Sequence, residues 1–114
     1  MIIASVRLSA IPEKRVELVQ TLLGWLSVVR NEEGCISYRL CQDLEDESTL
    51  WLVGEWATQS DLDRHFRSSS FAVLQGARSL LREAQEIMLH AVSFTAGNEA
   101  VNTVRNPVRR DRTG

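Results

Sequence analysis

The chain has 114 residues, of which 44% are hydrophobic and 25% are charged, and its formal net charge is −2. This length predicts one domain with a single hydrophobic core, and so small a charge gives no strong field for recruiting nucleic acid or an anionic membrane. No apolar stretch approaches the roughly 20 residues that cross a bilayer, and the N-terminus lacks the basic segment of a signal peptide. We therefore expect a cytoplasmic protein that binds neither nucleic acid nor membrane.

The first half of the chain predicts a strand, a long helix and two further strands. Apolar residues alternate at the start, and they then recur at steps of three and four after Pro12, which suits the first turn of a helix. Gly34 can adopt the positive φ that often ends a helix. The predicted elements are a strand over residues 1–8, a helix over residues 12–29, and strands over residues 35–42 and 49–56.

The second half predicts two helices and a last strand. Thr58 with Asp61 three residues on resembles a capping box, which predicts a short helix over residues 59–66. A serine-rich interruption follows it. A second helix is then predicted over residues 71–84, and alternation predicts a strand over residues 86–94.

The end of the chain differs in composition from the rest. From residue 95 onward there is no apolar periodicity, and Pro107 is present. Four arginines stand there against Glu99 and Asp111, which gives this segment a charge of +2 and the remaining body −4. We predict a domain over residues 1–95 and a polar basic tail over residues 96–114, too weakly charged to indicate nucleic-acid binding.

The two cysteines indicate a reducing compartment. Cys35 and Cys41 lie in one predicted strand, where six residues of extended chain separate them by roughly 20 Å. A disulfide needs Cα atoms within about 7 Å, so the two cannot pair within that strand. We expect both to act as small hydrophobes, with a reactive thiol as the alternative. Two cysteines and two histidines without close spacing also predict no metal site.

The order of the predicted elements is β-α-β-β-α-β, which is the order of the ferredoxin-like α+β fold. That fold has a four-stranded antiparallel sheet with its helices on one face. The predicted strands carry apolar residues on both sides, so the open face of the sheet would be exposed in a monomer. We therefore expect a homodimer that packs sheet against sheet. Trp51, whose parity is opposite to that of Trp56, is expected at this interface.

The most site-like part of the sequence is the passage from the third strand to the short helix. Trp56 ends the strand, and His65 lies on the helix that follows. The pair combines a large aromatic surface with the side chain whose unperturbed pKa lies near neutrality. This favours a small-molecule site that uses no metal or nucleotide motif.

Five short motifs occur in a particular order along the predicted domain. They are Arg7-Leu8, Pro12-Glu13-Lys14-Arg15, Glu33-Gly34-Cys35-Ile36-Ser37-Tyr38, Glu55-Trp56 and His65. In this order and spacing, over about residues 1–94, the chain resembles the antibiotic biosynthesis monooxygenase family of dimeric α+β barrel proteins. The resemblance implies a cavity between sheet and helices in each protomer. Enzymatic members oxidise phenolic or quinol-like aromatics with molecular oxygen and use no metal, flavin or haem.

The resemblance also implies roles for particular residues. His65 is the expected general base, Trp56 is expected to stack on the substrate ring, and Tyr38 to hydrogen-bond a substrate oxygen. The other residues expected to line the cavity are Leu52, Val6 and Leu62. The haem-degrading branch of the family has a histidine at the position of Gln75 and an asparagine at that of Val6, so haem degradation is not expected. Leu62 replaces a tyrosine of the polyketide-type members, which weakens that interpretation.

Two alternatives to an oxygenase remain open on the sequence. One is a non-catalytic dimeric module of the same fold that binds a small hydrophobic ligand. The other is a cofactor-free isomerase or lyase that uses the same cavity. Each candidate residue also has a purely structural interpretation, in which Trp56 and Tyr38 pack in or beside the core, His65 is a helix residue among solvated charges, and His90 lies on a sheet face.

Overall fold

The computed structural model of the protein describes residues 1–107. The strands are β1 (Ile2–Ser9), β2 (Cys35–Gln42), β3 (Thr49–Trp56) and β4 (Glu86–Ala91). The helices are α1 (Arg15–Val29), α2 (Gln59–Phe66), α3 (Ser69–Gly76) and α4 (Asn98–Arg105), with short 3-10 turns at Pro12–Lys14 and Ala77–Leu80. Arg109, Arg110 and Arg112 of the predicted tail lie outside the described residues. Within them, no helix is both long and apolar enough to span a bilayer.

The four strands form one antiparallel sheet in the order β2-β3-β1-β4. In β1 the period-two pattern is visible directly, because Ala4, Val6 and Leu8 are buried while the residues between them are partly exposed. Side chains of α1, α2 and α3 pack on that buried face and form one hydrophobic core with it. The predicted ferredoxin-like α+β fold is confirmed.

The close packing of α2 against the residue before β2 depends on one glycine. Gly34, just before β2, has φ +83°, a conformation that L side chains rarely adopt. A Cβ atom on Gly34 would also collide with the side chain of Asp61. Asp61 cannot easily move, because its backbone N–H donates to the hydroxyl of the capping residue Thr58 at 3.1 Å. The predicted cap and the predicted positive φ at Gly34 are both confirmed.

The C-terminal third of the domain differs from its prediction. The helix predicted over residues 71–84 begins earlier, because the Ser68 hydroxyl accepts the backbone N–H of Phe71 and caps α3. It ends at Gly76, and after a 3-10 turn the chain becomes extended at Leu81, which forms a bridge with Ala10. The last strand ends at Ala91 rather than residue 94.

The predicted polar tail contains a helix that the sequence pattern does not indicate. Helix α4 has no buried residue, and its apolar residues Val101 and Val104 are exposed. A helix of eight residues carries only two turns, which is too short for apolar periodicity to be recognised in the sequence.

Candidate functional site

The site begins with the pair that the sequence singles out. Trp56 is the last residue of β3, and the turn capped by Thr58 brings α2 back over the sheet, so that His65 reaches the indole. The two rings are stacked with centroids 4.6 Å apart and planes inclined by 27°. Trp56 is 0% exposed and His65 is 1% exposed. The structure therefore brings the predicted base and the predicted aromatic wall into direct contact, inside the core.

Tyr38 joins this pair from the neighbouring strand. Its ring centroid lies 6.0 Å from that of His65 and 6.2 Å from that of Trp56. The space for the phenol ring is provided by its cross-strand partner Gly54, since a Cβ there would lie 2.5 Å from Cε2 of Tyr38. Burial raises the pKa of Tyr38, so its hydroxyl keeps its proton and can act as a hydrogen-bond donor.

Glu32 completes the site. Its carboxylate oxygens lie 3.1 and 3.2 Å from Nδ1 of His65. A carboxylate only accepts hydrogen bonds, so Nδ1 is assigned the proton and Nε2 keeps its lone pair. The arrangement leaves the imidazole oriented and basic at Nε2.

Two buried polar atoms of the site have no hydrogen-bond partner among the described residues. They are Nε2 of His65 and Nε1 of Trp56. One accepts and the other donates a hydrogen bond. Leaving a buried polar group unpaired costs about 1–3 kcal/mol, so stability does not account for this arrangement. An acceptor and a donor in one aromatic cluster suit a small molecule that carries an oxygen function.

Burial also sets the protonation state of the base. It lowers the pKa of His65, and Glu32 opposes this effect without cancelling it. The imidazole is therefore neutral at neutral pH and able to accept a proton.

A second layer supports the carboxylate. The Ser70 hydroxyl donates to Oε2 of Glu32 at 3.0 Å, while the Ser70 carbonyl accepts the indole N–H of Trp25 at 2.7 Å. The Ser68 hydroxyl lies 2.8 Å from that of Ser70. Arg30, at the end of α1, donates to the carbonyl of Tyr38 at 2.9 Å and so connects the end of α1 to β2. The Glu32 carboxylate is thus held by contacts from both α2 and α3.

The remaining predicted cavity residues lie in the core. Leu52, Leu62 and Val6 are at most 1% exposed. Three depressions in the described part of the surface have volumes of about 370, 330 and 410 Å³. Tyr38 is the one predicted site residue among their linings, in the 330 Å³ depression beside the start of β2. The other predicted residues pack against one another between the sheet and the helices.

Neither cysteine forms a disulfide among the described residues. Cys35 is partly buried, and its pKa is raised first by burial and then by the nearby charge of Glu32. A raised pKa disfavours the reactive thiolate. Within residues 1–107, no three His, Cys, Asp or Glu side chains are placed to hold a metal ion together.

Glu32 and the residues that support it carry little signal in the sequence. Glu32 and His65 are 33 residues apart, and no periodicity joins them. Glu32 stands in an acidic helix end, where a solvated role is the ordinary interpretation. The serine run before α3 has the composition of a loop. Trp25 fits the apolar face of α1 and therefore the core.

Fold and site together define a ferredoxin-like α+β protein whose aromatic interior holds an imidazole oriented by a carboxylate. The model of the antibiotic biosynthesis monooxygenase family matches residues 1–77, and the chain belongs to this family.

Two solved structures and one sequence relative are similar to the chain. A conserved protein from Methanosarcina mazei Go1 is 29% identical, with a TM-score of 0.74 over 78% of this chain and 89% of that one. Rv0793 from Mycobacterium tuberculosis is 23% identical, with a TM-score of 0.78 over 84% and 98%. The uncharacterized protein sll1783 of Synechocystis sp. is 26% identical over 85 residues. That match covers 74% of this chain but 58% of the relative, so the chain spans less than two thirds of its length.

Proposed function

We propose that the protein is a monooxygenase that oxidises a small phenolic or quinol-type aromatic with molecular oxygen, without a bound cofactor. The observation that carries the proposal is the pair His65 and Glu32. It consists of a buried neutral imidazole whose Nδ1 faces a carboxylate and whose Nε2 has no hydrogen-bond partner within residues 1–107. Membership of the family supports the reaction class.

The proposed reaction needs little from the protein beyond proton removal and positioning. Nε2 of His65 takes the phenolic proton. The phenolate passes one electron to oxygen, which gives a phenoxyl radical and superoxide. These combine at a ring carbon that carries hydrogen, and the imidazolium of His65 returns its proton to the resulting peroxide. Loss of water, formed from that OH group and the ring hydrogen, then breaks the O–O bond. One oxygen atom stays in the quinone product and the other leaves as water, so no external reductant is consumed.

Two hydrogen-bond donors of the site can stabilise the negative charge that forms on the oxygen of the substrate. The Trp56 N–H has no partner among the described residues, and the Tyr38 hydroxyl keeps its proton. Both can donate to the oxygen of a phenolate, which is most stabilised when donors are already in place. In the proposal Trp56, Leu52, Val6 and Leu62 become the walls of the space that the substrate occupies once it has entered. Because these residues are packed together, substrate entry requires side chains to move aside.

The close packing itself favours a second candidate function. The side of the indole that faces His65 is covered by the imidazole ring, and both side chains are almost fully buried. A non-catalytic module that binds a small apolar ligand elsewhere on the domain would need no access to Nε2. In that case the aromatic cluster is structural.

Oxygen uptake with a panel of hydroquinones separates the two candidates. We expect uptake above the autoxidation rate, lost in His65→Ala and in His65→Gln, which keeps more of the buried volume. His90→Ala is the matched control, because His90 is exposed on β4. Uptake that survives both His65 variants would contradict the assigned base. No uptake with any hydroquinone would favour the binding module.

We also propose a homodimer formed through the open face of the sheet. Trp51 and Met88 lie on this face and are 37% and 60% exposed. With Arg7 and Glu86 they border the depression of about 410 Å³. Neighbouring exposed apolar side chains that form a patch on a sheet face are typical of an interaction surface.

A further inference from the structure

A groove opens to solvent between α1 and α3, on the helical side of the domain. Its volume is about 370 Å³, within the range of roughly 300–1,000 Å³ that is usual for small-molecule sites. Trp25 forms part of its wall, and Val28 and Val73, each 57% exposed, border it. A groove lined by an indole and two valines suits a flat apolar ligand.

Two residues of this groove also belong to the site around His65. Trp25 lines the groove, and its ring centroid lies 5.9 Å from that of His65. Ser70 lines the groove, and its hydroxyl donates to Glu32, the partner of His65. Trp25 and Ser70 are hydrogen-bonded to each other at 2.7 Å. They therefore form the wall between the groove and the buried imidazole.

Gly24 keeps the groove open. It lies within α1, where glycine is less favourable than alanine, and a Cβ there would meet no atom of residues 1–107 within 4 Å. Neither packing nor backbone conformation requires glycine at this position. A larger side chain would extend into the groove, because Gly24 is part of its lining.

We propose that this groove is an outer binding site for the aromatic substrate, which reaches His65 when Trp25 and Ser70 move aside. The inference rests on the proposed function for the identity of the ligand. The groove supplies a flat apolar surface and, in Ser69 and Ser70, hydroxyl groups that can pair with a phenol. Movement of Ser70 would also remove a hydrogen bond from Glu32, so passage of the substrate from the groove is coupled to the basicity of His65.

The test fills the groove without touching the buried site. Gly24→Leu places a side chain in the groove. Gly76→Leu is the matched control, because a Cβ at Gly76 also meets no atom within 4 Å in the described part of the chain and Gly76 does not line the groove. Both variants are checked for folding by the dispersion of their amide resonances.

Binding is followed with 1-naphthol through the indole N–H resonances of the three tryptophans. We expect 1-naphthol to shift the Trp25 resonance in the wild type and in Gly76→Leu, and its affinity to fall at least tenfold in Gly24→Leu. Unchanged affinity in Gly24→Leu, or no shift of Trp25 in the wild type, would overturn the inference.

Oxygen uptake with 1,4-naphthohydroquinone separates this inference from the proposed function. We expect Gly24→Leu to raise KM at least tenfold with little change in kcat. If the wild type consumes oxygen and Gly24→Leu leaves KM unchanged, the outer site is wrong and the function stands. If 1-naphthol binding depends on Gly24 in a protein that consumes no oxygen, the outer site is a ligand site and the oxidation is wrong.

Discussion

At the scale of single residues, the chemistry of the protein depends on what surrounds one imidazole. Burial lowers the pKa of His65, while Glu32 acts in the opposite direction and orients the ring. A histidine placed in a core for packing alone would be expected to have both nitrogens paired. Here only Nδ1 is paired within the described residues, which is the state that a general base requires.

The role of the Glu32 carboxylate can be tested by a single substitution. Glu32→Gln keeps the size of the side chain but removes the charge that favours the Nδ1–H tautomer. General bases contribute about 10²–10⁴-fold to rate, and we expect kcat/KM for oxygen uptake to fall by about tenfold or more. Glu33→Gln is the control, because the adjacent Glu33 side chain is 82% exposed. Equal activities of the two variants would contradict the role of Glu32.

The lowered pKa of His65 predicts how stability depends on pH. As pH falls through the ordinary value of 6.5, the unfolded chain binds a proton at His65 that the folded protein still resists. The protein should therefore lose stability from about pH 7 down to the lowered pKa, and no further below it. Urea unfolding at pH 7.5 and 5.5 should show a smaller loss in His65→Gln than in the wild type or His90→Ala. The same loss in all three proteins would mean that His65 does not titrate as described.

At the scale of elements, the parts of the fold with local signals are the ones that the sequence predicts. The bounds of β2, β3 and α2 match the prediction because alternation and the Thr58 cap act within a few residues. The end of α3 does not, because Leu81 is drawn into an extended bridge with Ala10, 71 positions earlier in the chain. The contact between Glu32 and His65 is of the same long-range kind. Such contacts join segments that are far apart in the chain, which the periodicity within any one element does not encode.

The turn before β2 offers a test at this scale. Gly34→Ala forces an L residue to φ +83° and into Asp61, and we expect a loss of about 1–3 kcal/mol in the free energy of unfolding. Gly76→Ala, in right-handed helical conformation, should leave stability unchanged or raise it by about 0.4–1 kcal/mol. Chemical denaturation of both variants measures the difference. Equal stability of the two variants would contradict the requirement for glycine at position 34.

At the scale of the whole molecule, the three core helices leave much of the sheet uncovered. Ile87 and Leu89 pair with core residues of β1 yet are 41% and 46% exposed, because the helices do not reach β4. The opposite face presents Trp51. Apolar side chains are therefore exposed on both faces at this side of the sheet.

The proposed dimer can be tested through Trp51. If two copies pack through the open sheet face, light scattering should give twice the chain mass of 12.9 kDa. Trp51→Ala should shift the protein toward the monomer, since large aromatic residues dominate such interfaces. Val16→Ala is the control, because Val16 is exposed on α1, away from this face. A wild-type mass of a single chain at micromolar concentration would contradict the dimer.

Because Trp56 is stacked on His65, the intrinsic tryptophan fluorescence of the protein also reports the protonation state of this imidazole. A protonated imidazole quenches an indole in ring contact with it, whereas a neutral imidazole quenches far less. The emission of Trp56 should therefore dim as acid is added, over the same interval in which His65 gains its charge. Trp25, whose ring centroid lies 5.9 Å from that of His65, should respond more weakly, and Trp51 on the sheet face gives a steady background. An acid titration of the unlabelled protein, followed by its tryptophan emission, therefore gives the ionisation curve of the proposed base His65.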